Sequence, residues 1–241
     1  MPDPFLSIVI PAYNEELRIA STLAAIRCYA ERKPYPIELI VVDDGSRDST
    51  SEVVARAPMA RVLSNSRNRG KGFSVRRGVL EARGELVLFT DADLSAPIEE
   101  CDKLLDALAS SGADVAVGSR ALQRRLIGIH QSWFREWGGR FFNLLVRLAT
   151  GLRIHDTQCG FKLFRRQSTL RAFELQRVDG FGFDAEILFL VERLGGKLVE
   201  VPVRWNHSPA TKVHYVRDSI RMTLDLLELR WRALRGMYPK Q

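Results

Sequence analysis

An α/β fold, with a mostly parallel sheet flanked by helices, is predicted by two features of this 241-residue chain. Continuous apolar runs, such as Phe5–Pro11 (FLSIVIP) and Ile37–Asp43 (IELIVVD), have the character of strands buried on both faces. Helical stretches lie between them, and strands that alternate with helices pack as a parallel sheet. In such a sheet ligands gather at the carboxyl ends of the strands.

The elements follow in order. After the first strand, Leu17–Glu31 reads as a helix, which Pro34 and Pro36 close before the second strand. Ser49-Thr50-Ser51-Glu52 has the pattern of a capping box opening a short helix. A short strand over Arg61–Leu63, a helix over Gly72–Ala82 stopped by Gly84, and a strand over Glu85–Thr90 (ELVLFT) come next. Ile98–Ser110 is predicted helical, and Ala113–Ser119 (ADVAVGS) is the fifth strand. The second half is less regular. Trp133–Thr150 is an expected helix with Phe134, Trp137, Phe141, Leu144 and Leu148 on one face, capped by Gly151. Asp184–Leu194 is helical up to Gly195-Gly196, and Leu198–Trp205 alternates as a strand. The last helix, Tyr215–Arg235, carries two apolar stripes: Ile220, Leu224, Leu227, Trp231 and Leu234, and then Met222, Leu226 and Leu229.

Composition bounds the function. Hydrophobic residues at 46% and charged residues at 27% exclude a disordered or disulfide-scaffold protein. The excess of basic residues, +7, points to an anionic partner such as a nucleotide, a phosphate, a nucleic acid or an acidic membrane surface. Cys28, Cys101 and Cys159 form no CxxC pair, so a zinc ribbon is not expected and a reducing cytosol fits. His130, His155, His207 and His214 have no metal-binding spacing. No basic-then-apolar leader opens the chain, and no charge-free run approaches the ~20 residues that span a bilayer. A membrane contact would therefore be lateral.

Two acidic turns carry the chemistry. Asp43-Asp44-Gly45-Ser46 closes the second strand, where carboxylates can accept from a uracil edge or ribose hydroxyls. Asp91-Ala92-Asp93 closes the fourth, and carboxylates at i and i+2 can converge on one hard cation, Mg²⁺ or Mn²⁺. The plain alternative for each is a strand-to-helix turn with an Asp cap. Between them Asn68-Arg69-Gly70-Lys71-Gly72 precedes a helix and suits a phosphate. The spacing is neither that of a Walker loop nor GxGxxG, which argues against P-loop NTPases and dinucleotide dehydrogenases. Cys159 reads as packing rather than a nucleophile.

Pro11-Ala12-Tyr13-Asn14-Glu15, then VVDDGS, NRGKG and DAD, stand in the order seen in family 2 glycosyltransferases, and this half resembles the nucleotide-sugar-binding half of the A-type glycosyltransferase fold. Gly118-Ser119-Arg120, the run DTQCGFKLF from Asp156, Gly182-Phe183-Asp184-Ala185-Glu186 and Val201-Pro202-Val203-Arg204-Trp205 are similar to the polyprenyl-phosphate sugar synthases, and DTQCGFKLF to the dolichyl-phosphate β-glucosyltransferases in particular. The resemblance runs from about Leu6 to Trp231.

The resemblance implies a catalytic domain over 1–211, with a donor half at 1–120 and an acceptor half at 121–211, followed by a basic amphipathic helix at 212–241. It implies that Pro11, Ala12, Tyr13, Glu15 and Asp43 hold the nucleoside, and that Asp44, Lys71 and Ala92 touch the donor. Asp91 and Asp93 would bind the metal and diphosphate, with Ser95 completing the metal shell where the family often has Gln. Arg120 and Arg135 would hold the acceptor phosphate, and Arg204 and Lys212 would lie on a late loop closing over the diphosphate. The expected reaction moves a hexose, glucose by subfamily resemblance, from a UDP-sugar to a polyprenyl or dolichyl monophosphate, with inversion to a β-linked product. A hydroxyl acceptor or GDP-mannose as donor is the alternative. Asp184 would act as a base for a hydroxyl acceptor, and otherwise reads as a helix N-cap or an arginine partner. A nucleic-acid binder fits the charge but not the intact acidic turns, and RNP-type aromatic motifs are absent. Arginines interleaved with aromatic and aliphatic residues on the helices from Trp133 and Tyr215 suit docking on the cytoplasmic face of a membrane, with an oligomer or a partner protein as the other source of anchoring.

Overall fold

The structure is a computed structural model that describes residues 3–123, 125, 127–129, 133–206 and 215–239, without the side chains at 127–129, 133–137, 139–141 and 215–216. Its elements are β1 (Leu6–Ala12), α1 (Ile19–Glu31), β2 (Ile37–Asp43), α2 (Thr50–Ala55), β3 (Ala60–Ser64), α3 (Lys71–Glu81), β4 (Leu86–Thr90), α4 (Cys101–Ser111), β5 (Val115–Ser119), β6 (Ile127–Ile129), α5 (Trp133–Thr150), β7 (Phe161–Arg165), α6 (Arg166–Leu175), α7 (Phe183–Arg193), β8 (Leu198–Pro202), β9 (Trp205–Asn206) and α8 (Tyr215–Leu234). The main sheet has the order β3-β2-β1-β4-β7-β5-β8, and β6 pairs with β9 beside it.

The continuous apolar runs are explained by burial on both faces. Along β1, Ile8 and Ile10 enter the core layer that holds Ile19, Leu23, Leu104 and Leu108. Val9 enters the opposite layer with Val75, Val79, Phe173 and Ile187. The period-2 alternation thus feeds two helical layers from one strand. The parallel register sets Ala12 opposite Asp43. The carboxyl ends of β1, β2 and β4 therefore share one edge of the sheet.

β7 is the departure from the expected pattern. It runs antiparallel to both β4 and β5, pairing Thr90 with Phe161 and Val117 with Lys162. Its reversed direction delivers residues 156–160, which precede it, to the same carboxyl edge. Helix α6 likewise has no counterpart in the sequence reading. The expected capping box at Ser49 is not formed. Asp48 Oδ1 instead accepts the N–H of Thr50, the first helical residue, at 3.0 Å, so a different orphan donor of the first turn is satisfied.

Helix α8 packs on α5 and α7 through Leu226 and Leu229 of its shorter stripe, joined by Ala233, while Met222 of that stripe is half-buried. The longer stripe faces out: Ile220, Leu224, Leu227, Trp231 and Leu234 are 49–72% exposed. On α5 the core contacts come from Phe142, Leu145, Val146 and Ala149. Leu144 and Leu148, expected on the apolar face, are exposed, and Phe134, Trp137 and Phe141 lie outside the described side chains. Among the described residues, no helix is long and apolar enough to cross a membrane.

Candidate active site

The carboxyl edge is stitched together by short polar turns. The Asp44 N–H donates to the Ala12 carbonyl at 2.8 Å. Asn14, at φ +53°, donates its N–H to Ser46 Oγ at 2.8 Å and accepts the Arg47 N–H on Oδ1 at 2.8 Å. Asparagine is among the few side chains that enter this left-handed region cheaply. The β1 and β2 turns thus form one platform. Asp43, at the end of β2, accepts the Ser46 N–H at 3.1 Å.

Asp44, expected to touch the donor, has a task of its own. Its Oδ1 accepts from Asn65 Nδ2 (2.7 Å) and the Arg69 N–H (2.9 Å), and its Oδ2 accepts the Gly70 N–H (2.8 Å). Both oxygens are engaged and the residue is buried. It fastens the Asn68–Gly72 loop.

The loop so held places Lys71 Nζ 2.6 Å from Asp91 Oδ1 and 5.1 Å from the centre of the Phe89 ring. Burial works against the Lys71 ammonium, but Asp91, Asp184 and Asp93 outweigh it and hold its pKa above the usual lysine value. Gly70, at φ +111°, and Gly72 press against residues 178–180, where a Cβ would come within 2.4 Å of the Asp179 carbonyl oxygen or 2.5 Å of that of Val178. Only glycine fits there.

The DAD turn is fixed from two sides. Thr22 Oγ1 donates to the Ala92 carbonyl at 2.6 Å, and the Ser95 N–H donates to Asp93 Oδ1 at 3.0 Å. Ser95 is itself buried, and its carbonyl accepts the Asn206 N–H at 2.8 Å. Arg18, which the sequence reading passed over, pairs with Glu15 and reaches within 3.9 Å of Asp93 Oδ2. Its bond to Glu15 leads the influences that hold its pKa above the usual arginine value. The two carboxylates are thus flanked by one cation each, and both stay partly open to solvent, at 26% and 22%. Their hard oxygens suit Mg²⁺ or Mn²⁺. Among the described residues no cluster of three His, Cys, Asp or Glu side chains could hold a metal. Asp91 and Asp93 would offer two carboxylates to such an ion, which keeps further positions for other oxygen ligands.

Gly160 is where β7 meets this turn. A Cβ there would lie 1.9 Å from Asp91 Oδ2. Gly160→Ala is accordingly expected to displace Asp91 and to lower the rate of metal-dependent sugar transfer by about 100-fold, the scale of rate loss for an ångström-level misplacement. Steady-state kinetics checks this, with circular dichroism verifying an intact fold.

The remaining expected residues are placed less simply. Arg120 is locked in a fork on Asp156, with Nε to Oδ2 at 2.7 Å and Nη2 to Oδ1 at 2.8 Å, and its guanidinium lies 4.9 Å from the centre of the Trp205 ring. Burial opposes the Asp156 charge, but Arg120 overcomes it and holds the carboxyl below its usual range. Asp184 is buried, and its partner is the fully buried Lys162, neither an arginine nor a cap. Gly182 stands at the N-cap of α7 instead. Lys162 Nζ also donates to the Cys159 carbonyl at 2.6 Å. Arg204 turns away to Glu100, which also accepts its backbone N–H at 3.1 Å. Pro11, Ala12 and Tyr13 lie where β1 runs into the platform. Lys212 and the Arg135 side chain lie outside the described residues. Cys159 is buried, which pushes its thiol up to about 12, so it packs as a neutral thiol.

A doubly wound sheet with a DxD turn, an acidic turn on the next strand but one and a lysine between them fits a glycosyltransferase. The chain belongs to glycosyl transferase family 2, whose family model matches residues 7–172. It is 37% identical to the dolichyl-phosphate beta-glucosyltransferase of Saccharomyces cerevisiae over 97% of this chain and 76% of that one. It is 38% identical to the Drosophila melanogaster protein of the same name, over 98% and 78%, and 33% identical to the human one, over 98% and 78%. Among solved structures it resembles glucosyl-3-phosphoglycerate synthase from Mycobacterium tuberculosis in complex with Mn²⁺, uridine-diphosphate-glucose and phosphoglyceric acid, with TM-score 0.68, 22% identity and coverage of 95% and 80%. Mannosyl-3-phosphoglycerate synthase from Rubrobacter xylanophilus gives 0.69 and 21% identity, over 99% and 76%. These structures share the A-type glycosyltransferase fold.

Proposed function

We propose that the protein transfers glucose from UDP-glucose to dolichyl or another polyprenyl phosphate, with inversion, to give a β-linked lipid-phosphate sugar. The observation that carries this is Lys71 held on Asp91 beside Asp93, at the edge shared with Asp43. The names of the relatives support the acceptor and the sugar. The division into a donor half at 1–120 and an acceptor half at 121–211, with the basic helix at 212–241, follows the same reading.

In the reaction a phosphate oxygen of the acceptor attacks the anomeric carbon, and the bond from that carbon to the diphosphate breaks, releasing UDP. A divalent cation on Asp91 and Asp93, when bound, neutralises charge on the diphosphate. Lys71 adds a fixed positive charge at the same place. The acceptor phosphate is already ionised at neutral pH, so Asp184 has no proton to remove and stays paired with Lys162. Arg120, pre-set by Asp156, presents a rigid cation to that phosphate together with Arg135, which costs less ordering than a free side chain.

The acceptor lives in a membrane, and the outward stripe of α8 offers a way to meet it. Arg217, Arg221, Arg230 and Arg235 are exposed beside the stripe against a single exposed acid, Glu228. This combination suits an anionic bilayer on the cytoplasmic side. Two measurements test the reading. Offered polyprenyl phosphate and polyprenol together, the protein should glucosylate the phosphate alone; glucosylated polyprenol would move the chain to a hydroxyl acceptor. In liposome flotation, Leu227→Glu/Trp231→Glu should lose binding to anionic vesicles that the parent protein retains, and unchanged flotation would detach α8 from the membrane.

A further inference from the structure

The C-terminal tail reaches the donor loop through buried hydrogen bonds that the reaction itself does not use. After α8 the chain turns at Gly236 (φ +70°), where the Met237 N–H donates to the Arg232 carbonyl at 3.0 Å. The turn sends Tyr238 back under α7, where it is 1% exposed and packs edge-on to Phe189. Arg193 Nε holds the Tyr238 carbonyl at 3.1 Å. The Tyr238 hydroxyl donates to Glu186 Oε1. Glu186, fully buried, accepts the Arg177 N–H (3.0 Å) and the Val178 N–H (2.7 Å) on its other oxygen.

The segment gripped by Glu186 is the one that touches the donor loop. Gln176 Nε2 donates to the Gly72 carbonyl (2.9 Å) and to the Val178 carbonyl (3.0 Å). The Phe73 N–H donates to the Asp179 carbonyl at 3.1 Å. Gly70 and Gly72 abut the Asp179 and Val178 backbone with no room for a side chain. A buried carboxylate with three donors is costly to leave half-satisfied, so this arrangement is rigid when whole and loose when one member is lost. A hydrophobic pair at these positions would pack the tail equally well without gripping the 177–178 backbone.

We propose that Tyr238 and Glu186 are positioning residues for donor binding, acting through Arg177–Asp179 and Gln176 to hold Gly70–Phe73, and thereby Lys71, against Asp91. This rests on the reading of Lys71 as a donor contact.

Hydrogen exchange on the full chain tests it without any ligand. Tyr238→Phe should speed exchange of the Phe73 amide by about 2- to 10-fold, the scale of one buried hydrogen bond, while amides of β1 and β2 stay protected. Gln176→Met, which leaves the tail intact, should do the same and tests the last link to the loop; if Tyr238→Phe fails to fold, Glu186→Met, which frees the Arg177 and Val178 amides, decides the matter by the same readout. UDP binding with Mn²⁺ then gives a double-mutant cycle. Tyr238→Phe should raise Kd by a similar factor, and that rise should vanish in a Lys71→Ala background. Unchanged Phe73 exchange with loosened Met237 and Tyr238 amides would reduce the tail to packing and overturn the proposal, as would effects that add independently of Lys71. Absence of UDP binding by the parent protein would instead remove the donor reading, and the exchange data would still decide whether the tail holds the loop.

Discussion

Asp93→Ala is expected to lower kcat for sugar transfer by about 10²- to 10³-fold, the loss typical of removing one group that stabilises charge developing in the transition state. Asp93→Ala loses the bond from the Ser95 N–H, but Thr22 still holds the turn at the Ala92 carbonyl, so the truncation should leave the turn in place. Its ion pair with Arg18, at 3.9 Å, is partly solvent-exposed, and its loss should change stability by under about 1 kcal/mol. Activity and stability therefore separate at this residue. Asp91→Asn should lower kcat as far, but it also strips Lys71 of its nearest partner, so a lower melting temperature should accompany it. Steady-state kinetics with thermal melts of both variants checks the contrast. Equal melting losses would mean that the Asp93 carboxylate is structural.

The largest stability effect is expected at Lys162 and Asp184. Lys162 is completely buried, and Asp184 is its carboxylate partner. Lys162→Met leaves that carboxylate in the core without its main counter-charge, which costs about 3–5 kcal/mol. For a chain of this length the melting temperature should fall by about 6–20 °C. Replacing both, as Lys162→Met/Asp184→Leu, removes the orphaned charge and should recover most of the loss. The pH dependence has a definite sign. Burial pushes the Asp184 carboxyl above its usual value, against the pull of Lys162 and Lys71. A raised folded pKa contributes stability below the unfolded value, near 3.9, that is lost as pH rises through the folded one. Without Lys162 the shift is larger, so the penalty of Lys162→Met should shrink as pH falls from 7 towards 5. A penalty that grew instead would show a charged, stabilising Asp184 at both pH values.

How much of this was legible in the sequence depends on which interactions are local. The strands β1, β2, β4 and β5 announced themselves, because burial on both faces demands unbroken apolar runs. The acidic turns followed, because each pair of carboxylates stands directly at the end of an apolar run. β7 did not, because Lys162 and Arg165 make FKLFR look like surface. The charge of Lys162 is neutralised by Asp184, 22 residues later, and no local pattern signals that. The same holds for Arg120. Its fork on Asp156 crosses 36 residues, so a guanidinium expected to face the acceptor directly is first committed to a carboxylate. Asp44 and Asp43 are neighbours with separate tasks, one fastening the Lys71 loop and one ending β2, and only the fold of that loop distinguishes them. On α8 the periodicity gave two candidate stripes. Packing on α5 and α7 selected the shorter one, which leaves the longer stripe outward.

The central claim is transfer of glucose onto a lipid phosphate at the DAD turn. The most direct measurement incubates the protein with radiolabelled UDP-glucose, a short polyprenyl phosphate and Mn²⁺ or Mg²⁺, and then follows label into the organic phase. Label should appear there with either metal and be lost with EDTA and with Asp93→Ala. Label confined to water while UDP still binds would contradict the lipid-phosphate acceptor and the roles given to Arg120 and Arg135.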